Sequence, residues 1–227
     1  MSLNKQAGNM YPWVTHTWNP IRGRCPHECT YCYMKRFPLG PLHLDEKSLR
    51  NDLSKAETIF VGSSTDMWHF DVPLSWLEHV LDKCWRYPDI TYLFQSKNPA
   101  RFQYVGLPPK SIIGTTLETN RYTENFSKAP NPVERASLLF STASVITRER
   151  MISIEPIMDF DLSKFVDQIS WVKPVFISIG ADSKGHNLPE PPAGKIKELI
   201  QELEKFTEVK IKKNLHRLAP NLTEKKT

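Results

Sequence analysis

The chain has 227 residues, of which 40% are hydrophobic, 24% charged and 11% aromatic, and its formal net charge is +5. This composition excludes a disordered chain and suits one large domain or two small ones, α/β barrels using such a length as a single unit. No run approaches the roughly 18 apolar residues needed to span a bilayer, and Met1 to Pro12 lacks the basic-then-apolar pattern of a secretory signal, so a membrane role is not expected.

In chain order, a first strand is expected at Trp13 to Trp18, leading through Asn19-Pro20 into a loop with three cysteines. A short helix follows at Tyr31 to Phe37 and stops at Pro38. Thr58 to Val61 reads as the second strand, broken by Gly62-Ser63-Ser64. Pro73 opens a helix of about a dozen residues that closes near Pro88. The third strand is Ile90 to Gln95, followed by a short helix at Ala100 to Tyr104, and Ser111 to Leu117 is the fourth. A helix at Val133 to Ser144 precedes the fifth strand, Met151 to Pro156. Leu162 to Ile169 is helical and Val175 to Gly180 is the sixth strand. The helix Ala193 to Phe206 carries Ile196, Leu199, Ile200 and Leu203 on one face, and Val209 to Ile211 reads as a short last strand.

Strands alternating with helices predict parallel pairing through helical crossovers. Six such units make the fold class α/β, a partial (β/α)6 TIM-like barrel of mostly parallel strands. Residues 1–12 read as an N-terminal extension, 13–215 as the barrel and 216–227 as a solvated tail, with no repeat, low-complexity tract or inner domain boundary.

The chemistry concentrates at Cys25, Cys29 and Cys32, written C-P-H-E-C-T-Y-C. Three thiolates at this spacing can hold three irons of a 4Fe–4S cluster and leave the fourth open to a ligand. A disulfide scaffold is disfavoured, because there are only 4 Cys and one of them is remote. That remote thiol, Cys84, recurs at helical spacing with Trp76 and Val80 and reads as a small core residue. Structural zinc is the rival metal and would recruit His27, which sits close between Cys25 and Cys29 for a tetrahedral wrap. Free thiols without a signal segment suit a reducing cytoplasm.

Polar residues recur where the strands end: Asn19, Gly62 to Asp66, Ser96 and Lys97, Glu118 and Asn120, Glu155, then Gly180 and Asp182. In parallel α/β architectures ligands collect there. Each alone also reads as turn or capping chemistry.

The cysteine spacing, with Tyr31 before Cys32, resembles the signature of the radical S-adenosylmethionine (radical SAM) enzymes. Thr17-Trp18-Asn19-Pro20, Lys97 in S-K-N-P, Ser153-Ile154-Glu155-Pro156 and Ile179 to Ser183 are similar to a phage- and bacteria-associated radical SAM family of unassigned function. The resemblance implies a partial barrel and a 4Fe–4S cluster on Cys25, Cys29 and Cys32. S-adenosylmethionine would bind the open iron. It further implies Tyr31 beside the adenine and Gly62, Ser63 and Ser64 in place of a Gly-Gly-Glu-type motif, although here the nearest acid, Asp66, comes later. Glu118 and Glu155 are the implied ribose and amino contacts, and Gly180 the backbone approach to the adenine. The implied activity is cleavage of S-adenosylmethionine to a 5′-deoxyadenosyl radical, with electrons from an external donor of the flavodoxin or ferredoxin type; the substrate stays open. The alternative is a nucleic-acid-binding module with a structural zinc. The +5 charge and the text Tyr33, Lys35, Arg36, Phe37 motivate it, with more basic residues at Lys205, Lys210, Lys212, Lys213 and Arg217. The same basic residues also read as a solvated helix face and edge strand.

Overall fold

The computed structural model describes residues 3–142 and 146–222. The end of the expected Val133 to Ser144 helix and the last five residues of the expected tail lie outside the described residues. In chain order, β1 (Asn4–Lys5) pairs antiparallel with β2 (His16–Trp18). Next, β3 (Ile21–Arg22) and β4 (His43–Leu44) form a separate two-stranded sheet ahead of α1 (Glu46–Leu49). Alternation then begins with β5 (Thr58–Val61), α2 (Leu74–Trp85), β6 (Thr91–Gln95) and β7 (Ser111–Thr116). It continues with α3 (Pro132–Thr142), β8 (Glu149–Ile154), α4 (Leu162–Val172), β9 (Phe176–Ile179), α5 (Ala193–Leu203) and β10 (Glu208–Ile211). The main sheet has eight strands in the order β1-β2-β5-β6-β7-β8-β9-β10, and every pair except β1–β2 is parallel.

This is the expected partial TIM-like barrel, with each expected strand in place, the short last one included: β10 pairs along four residues with β9 and is a full member. The first strand is shorter than expected because Trp13 turns away to pack its ring edge-on against Phe176, with centroids 5.0 Å apart. The expected Tyr31 to Phe37 helix is only a 3-10 turn, Tyr33–Arg36, with no buried residue to anchor a longer one. The short elements β1, β3, β4 and α1 carry too few residues to show a period and were not expected.

Both faces of the parallel strands are covered, which is why they read as continuous apolar runs. Ile59, Val61, Phe94, Ile113, Ile152, Ile177 and Ile179 are buried in one cluster with Leu77, Val80 and Cys84 of α2, Phe165 and Ile169 of α4, and Ile196 and Leu199 of α5. The other cluster is smaller: Phe60, Leu93, Ile112, Met151 and Phe176, covered by Tyr11 and Val14. The segment between β1 and β2 therefore packs against the sheet. The Tyr11 ring stacks on Trp13 at 5.5 Å and tilts against Phe60 at 6.0 Å, while its hydroxyl donates to Gln95 Oε1 (2.8 Å) and meets Ser153 Oγ (2.9 Å). Two residues earlier, the Asn9 amide donates to Glu155 Oε1 at 2.7 Å. No helix among the described residues is long and apolar enough to cross a membrane.

Candidate functional site

The cysteine loop leaves the carboxyl end of β2, where the buried Trp18 indole donates to Ser48 Oγ at 3.0 Å and fixes the exit. Gly23 adopts φ +110, and a Cβ there would meet Pro41 O at 2.3 Å, so only glycine passes. Glu28, at φ +47, turns the chain between Cys25 and Cys29, its amide bonding Cys25 O at 3.2 Å, while Cys32 N bonds Cys29 O at 3.1 Å. A second loop braces the first from outside. Thr30 N donates to Phe126 O (2.7 Å), Lys128 N to His27 O (2.8 Å), and Ser127 Oγ lies 3.1 Å from Cys29 Sγ.

All three loop cysteines are free thiols. Burial pushes the Cys25 thiol up to about 12, with the Asp66 carboxylate adding to the effect, and burial likewise raises Cys32. These thiols are thus protonated near neutrality, and metal binding must release their protons. Among the described residues no three His, Cys, Asp or Glu side chains are drawn together as a ready-made metal cage. The donor set nonetheless fits an iron–sulfur cluster, since all three thiols line one cavity of about 720 Å³. Metal-ligand loops commonly take their final form on binding.

Asp66, in the turn after β5, ties three strand ends together. His27 Nε2 lies 2.8 Å from its Oδ2, and the same oxygen accepts from Ser96 Oγ (2.9 Å) and Lys97 N (2.8 Å). Its Oδ1 accepts from Trp68 N at 3.0 Å. Burial alone would raise this carboxyl, but the His27 contact and the Lys97 and Ser96 bonds hold it below the usual range. His27 Nδ1 is buried without a partner.

A second network lies under Tyr31. The Lys97 ammonium donates to Tyr31 Oη and to Glu118 Oε1, and sits 4.7 Å from the Tyr31 ring centroid. The Tyr31 hydroxyl donates to Glu118 Oε1, whose other oxygen accepts from Arg135 Nη2 at 2.7 Å. Glu118 and Arg135 are both fully buried. Burial opposes ionisation of Glu118, yet the Arg135 and Lys97 charges outweigh it and hold the carboxyl far below its usual range. Burial and the Glu118 charge drive the Tyr31 hydroxyl the other way, well above the ordinary phenol value.

At the end of β8, Glu155 accepts from Lys212 Nζ at 2.6 Å and Asn214 Nδ2 at 2.9 Å. A Cβ on Gly180 would fall 2.7 Å from Glu155 Oε1 and 2.9 Å from Asn214 Oδ1, so this glycine makes room for that pair.

Of the expected site residues, Cys25, Cys29, Cys32, Tyr31, Gly62, Ser63, Ser64 and Glu155 line the cavity. Glu118 and Gly180 are not in its wall; they support Tyr31 and Glu155 from behind. Ser63 Oγ and Ser64 N both donate to Asn19 Oδ1 (3.2 and 2.9 Å), joining the first two strand ends. Sequence reasoning missed Ser127 and Arg135, which lie on remote segments with no motif. It also missed Asn9, placed in an expected extension, and Asn214.

The fold and this site together define an open parallel barrel with a tri-cysteine loop at its carboxyl mouth. Solved structures share that fold. Spore photoproduct lyase complexed with dinucleoside spore photoproduct is 10% identical, with TM-score 0.64 over 91% of this chain and 78% of that one. A double mutant of the lyase with bound AdoMet and the same dinucleoside gives the same values. SuiB of Streptococcus suis bound to S-adenosylmethionine is 11% identical, with TM-score 0.62 over 92% of this chain and 53% of SuiB, so this chain spans about half of SuiB. No family model and no curated protein matches the sequence.

Proposed function

We propose that this chain is a radical SAM enzyme whose cluster is held by Cys25, Cys29 and Cys32. One observation carries the reading: the C-x3-C-x2-C thiols are unpaired and line a cavity of about 720 Å³ at the strand ends. That volume lies within the range of small-molecule and cofactor sites. The fold is shared with two proteins whose structures hold AdoMet or S-adenosylmethionine. When bound, a reduced cluster with one open iron supplies the electron that cleaves S-adenosylmethionine to methionine and a 5′-deoxyadenosyl radical.

The chain's own residues position and shield. Gly62, Ser63 and Ser64, fixed by Asn19, face the methionine end, and Gly62 at φ +79 keeps the backbone open there. Tyr31, clamped by Lys97 and Glu118, stands at the adenine. Glu155, paired with Lys212, is a polar contact for the ribose or amino group. Glu118 and Gly180 act through these neighbours. An external donor of flavodoxin or ferredoxin type supplies the electrons, and the cytoplasm suits the free thiols.

The test is anaerobic reconstitution. The expected product is a brown protein with absorbance near about 400 nm and about four irons per chain, which cleaves S-adenosylmethionine under a low-potential reductant. Undiminished cluster uptake by Cys29→Ala would overturn the assignment, as would a colourless preparation.

A further inference from the structure

We infer that the mouth of this cavity receives a phosphate-bearing nucleoside substrate, either a nucleic-acid strand or a free nucleotide, held by Lys5, Arg36 and Lys184 around the ring of Tyr33. The inference rests on the proposed function only in taking this cavity as the place of reaction.

Five cations reach the cavity wall: Lys5, Arg36, Lys97, Lys184 and Lys212. Two are already engaged, Lys97 with Glu118 and Lys212 with Glu155. Lys5, Arg36 and Lys184 are exposed and form no ion pair among the described residues. The acids of the wall are engaged as well. Asp66 is bound to His27, Ser96 and Lys97, and Glu155 to Lys212, Asn9 and Asn214. Asp182 accepts from Lys184 N at 3.0 Å and lies 2.7 Å from His186 Nδ1. Five cations against three carboxylates, Asp66, Glu155 and Asp182, leave the wall with an excess of positive charge, and none of these acids is paired with Lys5, Arg36 or Lys184.

These cations come from β1, from the turn after the cysteine loop and from the loop after β9. A solvated helix face would put them at helical spacing on one element; here the fold gathers them from 180 residues of chain. One flat ring stands among them and another beside Arg36. Tyr33 is 41% exposed in the same wall, pinned by its hydroxyl to Ser63 O at 3.1 Å. Phe37, outside this wall, is 45% exposed beneath the Arg36 guanidinium, 4.8 Å from the ring centroid. Cations interleaved with exposed aromatic faces match phosphates alternating with bases. An acidic peptide would satisfy the charges and leave the rings without stacking partners.

The experiment titrates the full chain with fluorescein-labelled single-stranded DNA and RNA oligonucleotides across a salt series, followed by anisotropy. Unlabelled mononucleotide and a poly-glutamate peptide serve as competitors. Binding is expected to weaken linearly in log–log salt plots, and Lys5→Gln, Arg36→Gln and Lys184→Gln should each lower the slope by about 0.7. Tyr33→Ala should weaken binding by about tenfold with the slope unchanged. Competition by micromolar mononucleotide identifies a free nucleotide as the ligand; binding of oligonucleotide alone identifies a strand. An unchanged slope in the triple variant, equal competition by poly-glutamate, or no binding of either nucleotide form overturns the inference. Iron content and absorbance of the same samples separate the two readings. A colourless chain that binds with this salt slope sinks the radical assignment alone, and a brown chain without it sinks this inference alone.

Discussion

The Glu118 carboxylate has three polar neighbours, Tyr31, Lys97 and Arg135, and is fully buried, and its ionisation follows from that. A buried carboxylate is costly unless paired, and the Arg135 and Lys97 cations more than compensate. Glu118→Gln, which leaves both cations partly unpaired, should destabilise the fold by about 3–5 kcal/mol at neutral pH, read from urea midpoints. The sign of the pH dependence follows from the depressed carboxyl. Its contribution is full above the ordinary carboxylate value of about 4.3 and is lost as pH falls through the lower folded value. Stability of the wild type should therefore fall steeply below about pH 4, and less steeply in Glu118→Gln. Asp66 follows the same logic with four partners, His27, Trp68, Ser96 and Lys97. Asp66→Ala leaves buried donors on Ser96, Lys97 and His27 unmatched and should cost about 3 kcal/mol or more. It should also loosen the cysteine loop, measured as slower cluster uptake. Gly180→Ala is a different case, because its Cβ would strike the Glu155 carboxylate. It should displace that group at a cost of about 1–3 kcal/mol, visible in denaturation midpoints.

Among the elements, the segment between β1 and β2 has the least sequence signal and a large structural part. It covers the inner face of the strands with Tyr11, Trp13 and Val14 and delivers Asn9 to Glu155. An open barrel has an apolar inner face that must be covered by something, and here the chain's own beginning covers it. Tyr11 is 4% exposed, so Tyr11→Ala should cost about 3–5 kcal/mol and lower the melting midpoint by roughly 6–20 °C. Tyr11→Phe removes only the hydroxyl bonds to Gln95 and Ser153 and should cost about 1–3 kcal/mol. An unchanged midpoint in Tyr11→Ala would mean that the inner face is covered some other way. The loop around Ser127 is the second such element, since it braces the cysteine loop through backbone bonds that no residue pattern announces.

For the whole molecule, the parallel order places the most protected strands at the centre. Amides of β6, β7 and β8 should exchange slowest by mass spectrometry, and those of β1 and the β10 edge fastest. The alternation of apolar runs with periodic helices was enough to read out the barrel, because strands covered on both faces must be β-branched or aromatic throughout. The tri-cysteine spacing was equally plain, since the three thiols lie close together in sequence. Strand ends could be located too, which is why Tyr31, Gly62, Ser63, Ser64 and Glu155 could be placed near one mouth. Glu118 could be placed at a strand end but not behind Tyr31, because its direction depends on Arg135 from a helix 17 residues on. Local order was written in residue periods and in the spacing of cysteines along a short stretch of chain. Long-range partnership was not. Asn9 with Glu155, Ser127 with Cys29, and the meeting of Lys5, Arg36 and Lys184 at one opening depend on how parallel crossovers bring distant segments together. No local pattern encodes that distance, and only the packed barrel sets it.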